Sequence, residues 1–331
     1  MATIAVISLH TASHIFFQYN EMPLQPWLFA NAYNGLSRFC VPVFVMLSGA
    51  LLLPKEHDIA GFLKKRGSRL MLPLLFWSLV YIAYTIAERY SEGQHMGLTE
   101  TVKFICYQLR DGSAYHLWYV YMLMGIYLFV PIISKAIRHC TERQILYFLG
   151  IWLLVLISKL PYLKMLQSAI DFTYFTGYLG YFVLGYYLSL KTFKSRYILV
   201  YAATLFLAAN LATFFGTWYL TRTSGAAVQS FYENMTPNIL CSAIAIFVLF
   251  RHLGTVQQAF LLKIRNFIAR YSYGIYLVHV LVLSLCYRFG LSGDFVHPAF
   301  GIPLLTGFCL LVSAGCVYLV HKLPFGRYIS G

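Results

Sequence analysis

Residues 36–54, LSRFCVPVFVMLSGALLLP, carry one charge, Arg38, near their start and no other charged residue before Pro54. A bilayer core about 30 Å thick needs roughly 20 helical residues, each rising about 1.5 Å, so this segment has the length of one crossing. In lipid the backbone must bond to itself, which makes such a segment a helix. Working outward, residues 1–19, 70–88, 116–134, 144–162, 173–190, 197–216, 236–250, 271–288 and 299–321 read the same way. The chain is therefore expected to be an all-α integral membrane protein of about ten transmembrane helices, forming a single domain over residues 1–331. The longest loops, 89–115, 217–235 and 251–270, are too short to fold alone.

Composition agrees. The chain is 60% hydrophobic, 18% aromatic and 11% charged, where an ordinary soluble domain carries about 25% charged residues. The net charge of +14 does not imply nucleic acid, because the basic residues lie in short loops between apolar spans instead of forming one patch. The expected partner is the lipid bilayer of the inner (plasma) membrane. If the N-terminus is cytoplasmic, the inner segments hold Lys55, Lys64, Lys65, Arg66 and Arg69; Lys135, Arg138 and Arg143; Lys191, Lys194 and Arg196; Arg251, Lys263, Arg265 and Arg270; and Lys322 and Arg327. That is 17 of the 25 basic residues, and Lys159 and Lys164 fall among the few outside. The positive-inside rule thus puts both termini in the cytoplasm. Met1 opens into an apolar stretch with no basic segment before it, so no removable signal peptide is expected. The seven cysteines are scattered and form no metal clip or redox pair; they read as packing residues, and no metal site is expected.

Ionisable groups inside a span cost a few kcal/mol each on insertion scales, so they tend to face a bundle interior or a wet cavity. His10 and His14 lie in the first span, His116 opens the fourth and His279 lies in the ninth. For His14 and His116 taken singly, an interhelical hydrogen bond or an interfacial anchor explains the residue; for His10 and His279 a functional role is favoured. Both are about eight or nine residues from the cytoplasmic start of their spans, roughly 12–14 Å deep, and Ser48 falls at a similar level. Ser48 and Gly49 can equally serve as small residues that let two helices approach closely. Arg66 and Arg69 are three apart at the entrance to the third span, so two guanidiniums share a helix face there. They can grip phosphate or anchor to anionic lipid, and spacing alone does not choose between these.

Four segments occur in order: IAVISLHTASH (residues 4–14), SRFCVPVFVMLSGALLL (37–53), the Arg66-Gly67-Ser68-Arg69 stretch followed by Pro73, and YSYGIYLVH (271–279). HLWYVYMLMGIYLFVP (116–131) and YFVLGYYL (181–188) add weaker likenesses. Together they resemble the membrane-bound acyltransferase 3 family, whose members O-acylate surface polysaccharides and related glycans. The family pattern has an arginine eleven residues before the first-helix histidine, a position that falls ahead of Met1. A few N-terminal residues are therefore expected to be missing.

The resemblance implies acetyl-CoA or another acyl-CoA as co-substrate, no permanently bound cofactor, and a saccharide or glycolipid hydroxyl as acceptor. Catalysis falls to His10 as base or as a transient acyl carrier, with His279 and Ser48 beside it. Arg66 and Arg69 would hold the donor's phosphates. Arg38, His116 and Trp118 would line the acceptor, with Tyr276 there or orienting the thioester. The alternative is a multi-pass transporter of an anionic or sugar substrate that uses the same histidines as a proton relay. No internal duplication and no matching pair of broken helices supports it.

Overall fold

The computed structural model describes residues 1–158, 173–193, 195–253 and 258–331. Residues 159–162, expected to end the fifth crossing, and Lys159, Lys164 and Lys194 lie outside the described residues. The described residues form α-helices, two one-turn 3₁₀ helices (Tyr115–Leu117 and Ser230–Tyr232) and no strand. In chain order the helices are α1 (Ala2–Phe16), α2 (Leu24–Ser37), α3 (Cys40–Leu52), α4 (Ile59–Ser91), α5 (Leu98–Asp111), α6 (Trp118–His139), α7 (Glu142–Ser158), α8 (Thr173–Leu190), α9 (Ile198–Ser224), α10 (Pro237–Leu253), α11 (Ala259–Arg288), α12 (Pro298–Lys322) and α13 (Gly326–Ile329).

Among the described residues seven segments are long and apolar enough to cross a membrane: Leu24–Leu52, Ile59–Ser91, Leu98–His139, Ile198–Ser224, Ser230–Leu253, Ala259–Arg288 and Pro298–Lys322. Each coincides with an expected crossing, and α1, α7 and α8 fall on the other three. The protein is a multi-pass, all-helical membrane protein.

Several helices start earlier than hydropathy predicts. The crossing expected to begin at residue 36 begins at Leu24, with a two-residue break at Arg38 and Phe39 dividing α2 from α3. α2 escaped notice because Asn31, Asn34 and Ser37 lower its hydropathy, yet all three are buried against other helices and not lipid. Asn31 Nδ2 donates to the Phe214 carbonyl at 3.1 Å, and Asn34 Nδ2 to Ser13 Oγ at 3.1 Å. α4 starts at Ile59, where Asp58 accepts from the Gly61 amide at 2.7 Å and so caps the first turn. The Arg66–Arg69 stretch is therefore helical. The expected 89–115 loop contains α5, in which no residue is buried; Glu100 accepts from the Gly97 amide at 3.1 Å, and Arg89 lies 4.4 Å over the Phe104 ring. α11 begins at Ala259, twelve residues before the expected crossing at residue 271.

α1 is enclosed by α2, α3, α11 and α12. Ile7, Ala12, Ile15 and Phe16 are fully buried there, and Trp27 of α2 ties down the helix end through Nε1 to the Phe16 carbonyl at 2.8 Å. α3 packs along α8 more closely than side chains allow. A Cβ on Gly49 would stand 1.8 Å from the Phe182 carbonyl oxygen, and one on Gly185 would stand 2.0 Å from that of Met46. The two glycines are reciprocal, each receiving the other helix's backbone, which bears out the close-approach reading of Gly49. Outside the membrane segments, the Glu56 carboxyl meets Arg138 Nη2, in the last turn of α6, at 2.8 Å and is held below the ordinary carboxylate value.

Gly49→Ala and Gly185→Ala should each cost about 3 kcal/mol or more, because the obstruction is backbone and cannot rotate away. The thermal midpoint of the detergent-solubilised protein should fall by several degrees. Gly315→Ala, where nothing lies within 4 Å of the added carbon, should be neutral or mildly stabilising.

Candidate functional site

Three imidazoles from three separate elements meet inside the bundle. His10 comes from α1, His116 from the 3₁₀ turn that opens α6, and His279 from α11. Ring centroids are 5.2 Å apart for His10 and His279, 5.1 Å for His116 and His279, and 6.4 Å for His10 and His116. His116 and His279 are buried, at 2% and 0% exposure, while His10 is partly open. Among the described residues no group of three or more His, Cys, Asp or Glu side chains is arranged to hold a metal ion.

The backbone of α11 fixes two of the rings. A carbonyl only accepts, so His279 must carry its proton on Nδ1, 2.6 Å from the Tyr276 carbonyl, and His116 must carry its proton on Nε2, 3.4 Å from the Leu277 carbonyl. His279 Nε2 and His116 Nδ1 are then bare acceptors, buried and without a partner among the described residues. Tyr81 of α4 reaches into the same turn. Its hydroxyl donates to the Leu277 carbonyl at 2.9 Å and accepts from the Leu281 amide at 3.0 Å, the two groups that an unbroken helix joins directly. Tyr276 donates to the His116 carbonyl, and its ring lies 5.4 Å from His116 and 5.7 Å from His279. Among the described residues His10 has no backbone partner; its Nδ1 lies 3.1 Å from the Tyr115 hydroxyl.

Arg38 stands at the α2–α3 break, half-buried. Its Nε donates to Asn34 Oδ1 at 2.8 Å, and its guanidinium carbon lies 4.2 Å over the Tyr232 ring. The Tyr232 hydroxyl is itself held by Asn31 Oδ1 at 2.5 Å. Because Asn34 also holds Ser13, one turn beyond His10, the guanidinium is keyed to the helix that carries His10. Among the described residues no carboxylate lies within ion-pair distance of Arg38, though the Glu233 charge acts on it from further away.

Ser48 does not join the histidines; its Oγ accepts from the Tyr127 hydroxyl of α6 at 3.4 Å. Ser48 thus lies on the α6 side of α3, next to the glycine face turned to α8. Arg66 is half-buried and near enough to Tyr127 for its charge to act there. Arg69 is exposed. Neither arginine has an ion-pair partner among the described residues. Trp118 is 42% exposed, its ring 5.7 Å from Tyr178. His14 stacks on Tyr287 at 4.1 Å, apart from the triangle. Sequence reasoning missed Tyr81 and Tyr115. Tyrosine is common in this chain, and only Tyr115's place beside His116 in the YHLW stretch marked it.

The acyltransferase domain model matches residues 1–321. A candidate membrane-bound acyltransferase, YfiQ of Bacillus subtilis (strain 168), is 21% identical over 343 residues, which span 100% of this chain and 92% of the relative. No solved structure matches. With the domain model covering nearly its whole length and a membrane-bound relative aligned from end to end, the chain belongs to the membrane-bound acyltransferase 3 family.

Proposed function

We propose that the protein is an O-acyltransferase of the inner (plasma) membrane, with ten crossings and both termini cytoplasmic, that moves an acyl group, acetyl above all, from cytoplasmic acyl-CoA to a hydroxyl of a lipid-linked or cell-surface saccharide. The observation that carries this reading is the packing of three imidazoles from α1, α6 and α11 around His10, the partly open member. A neutral imidazole is the side chain suited to taking a hydroxyl proton near neutral pH.

In this reading His10 Nε2 removes the acceptor's proton as its oxygen attacks the thioester carbonyl. The C–S bond then breaks, and the proton returns from His10 to the departing sulfur, leaving an ester and CoA thiol. His279 and His116, held by α11, keep the His10 ring in place and line the reacting centre together with Tyr276. Ser48, through Tyr127, belongs to the donor's path from Arg66 and Arg69, whose unpaired guanidiniums suit the donor's phosphates. Arg38 and Trp118 stand on the acceptor's side.

Purified protein in detergent, given acetyl-CoA and membrane glycolipid, should release CoA thiol; no release would overturn the reading. His10→Ala should lower kcat by roughly 10²- to 10⁴-fold, the usual range for a lost general base, while the protein still inserts and binds acyl-CoA. His14→Ala should do much less, because that ring stacks on Tyr287 outside the triangle. Near wild-type turnover by the His10 variant would remove it from the mechanism.

Arg66→Ala and Arg69→Ala should raise KM for acyl-CoA by about 10- to 150-fold, since a charge-assisted contact is worth roughly 1.5–3 kcal/mol. Arg→Lys should recover only part of the loss, because a point charge does not reproduce the fork. An unchanged KM in both Ala variants would return these residues to lipid anchoring.

A further inference from the structure

The three imidazoles differ in what holds their N–H groups. His279 and His116 each face a backbone carbonyl, which dictates the protonated nitrogen. His10 faces a hydroxyl, and a hydroxyl can either donate or accept. If the Tyr115 hydroxyl donates to Nδ1, the proton of neutral His10 sits on Nε2, and that nitrogen cannot act as a base. If it accepts from Nδ1–H, Nε2 carries a lone pair. Only the second arrangement serves the reaction.

We infer that Tyr115 is the positioning residue for His10: its hydroxyl accepts from Nδ1–H, fixes the tautomer and leaves Nε2 bare to take the acceptor's proton. This rests on the reading of His10 as the base. The ring geometry supports it independently, because Tyr115 meets His10 edge-on at 5.2 Å between centroids and His116 at 5.8 Å. The tyrosine ring therefore meets both histidines. It is 65% exposed as a residue, and its hydroxyl end lies against His10. Tyr115 stands in the 3₁₀ turn joined to α5 by residues 112–114. α5 buries no residue in the bundle. The residue that sets the His10 tautomer is thus carried by the turn that also carries His116, whereas the partners of the other two imidazoles lie on α11.

The test uses the full chain in micelles with ¹⁵N-labelled histidine, the His10 signals being assigned by their loss in His10→Gln. Wild-type protein should show neutral His10 protonated on Nδ1. Tyr115→Phe should move it towards the Nε2–H form that free imidazole favours, while the His116 and His279 signals stay in place and report an intact fold. In the acetyl-CoA assay, Tyr115→Phe should lower kcat by roughly 2- to 12-fold, the equivalent of one hydrogen bond, with KM for acetyl-CoA unchanged. Finding wild-type His10 protonated on Nε2, or the same tautomer with and without the hydroxyl, would overturn the inference. The wild-type spectrum decides even if the variant does not fold. The spectra need no turnover, so an unaltered tautomer sinks the role of Tyr115 alone, whereas an active His10→Gln enzyme sinks the reading of the base.

Discussion

Every polar backbone group in the hydrocarbon of a bilayer must find its partner inside the protein, and the rest of this molecule follows from that constraint. It makes the fold helical, and it leaves side chains on helices and short turns as the means of doing chemistry. It also makes each intramembrane polar side chain costly unless another helix receives it. Asn31, Asn34, His116 and Tyr81 are received in this way. Asn31 and Asn34 reach α9 and α1, and Tyr81 reaches the α11 backbone. These contacts both satisfy polar atoms and set which helices are neighbours.

The same constraint explains what could be read from sequence. Segments whose outer faces meet lipid, such as α9 and α12, announce themselves by apolar length. α2 does not, because its polar residues face protein and pull its hydropathy down. The start of α4 is hidden differently: Lys64, Lys65, Arg66 and Arg69 end the apolar signal, but a helix needs no apolar surroundings where it emerges into water, and the Asp58 cap begins it earlier. α5 failed on both counts, being too polar for a span and covered by nothing.

For the site, depth along a span is legible and direction around the helix is not. His10 and His279 were paired by depth, and their rings are 5.2 Å apart. Ser48 was placed at their level by the same argument and its hydroxyl bonds to Tyr127; equal depth on α3 leaves the whole circumference open. Gly49, next to it, shows which way that helix turns: its face belongs to the α8 backbone. His116 was read at the end of a span and as a lining residue, yet the turn at Tyr115–Leu117 carries it into the cluster, 5.1 Å from His279. Hydropathy has no signal for such a turn.

Family membership and geometry bear differently on the transporter alternative. A relay across a membrane needs proton acceptors and donors strung along a path, each able to exchange its proton for the next. Here two of the three imidazoles have an N–H committed to carbonyls of neighbouring α11 residues, Tyr276 and Leu277. Moving either proton breaks a hydrogen bond in a buried site, a cost of about 0.5–1.5 kcal/mol per step. A local reaction has no such demand, because the proton moves only between His10 and the reacting atoms while His116 and His279 keep theirs. The ring whose proton is not tied to the backbone is also the ring that is partly open. That coincidence suits a base that meets a substrate, and it follows from α11 holding the other two.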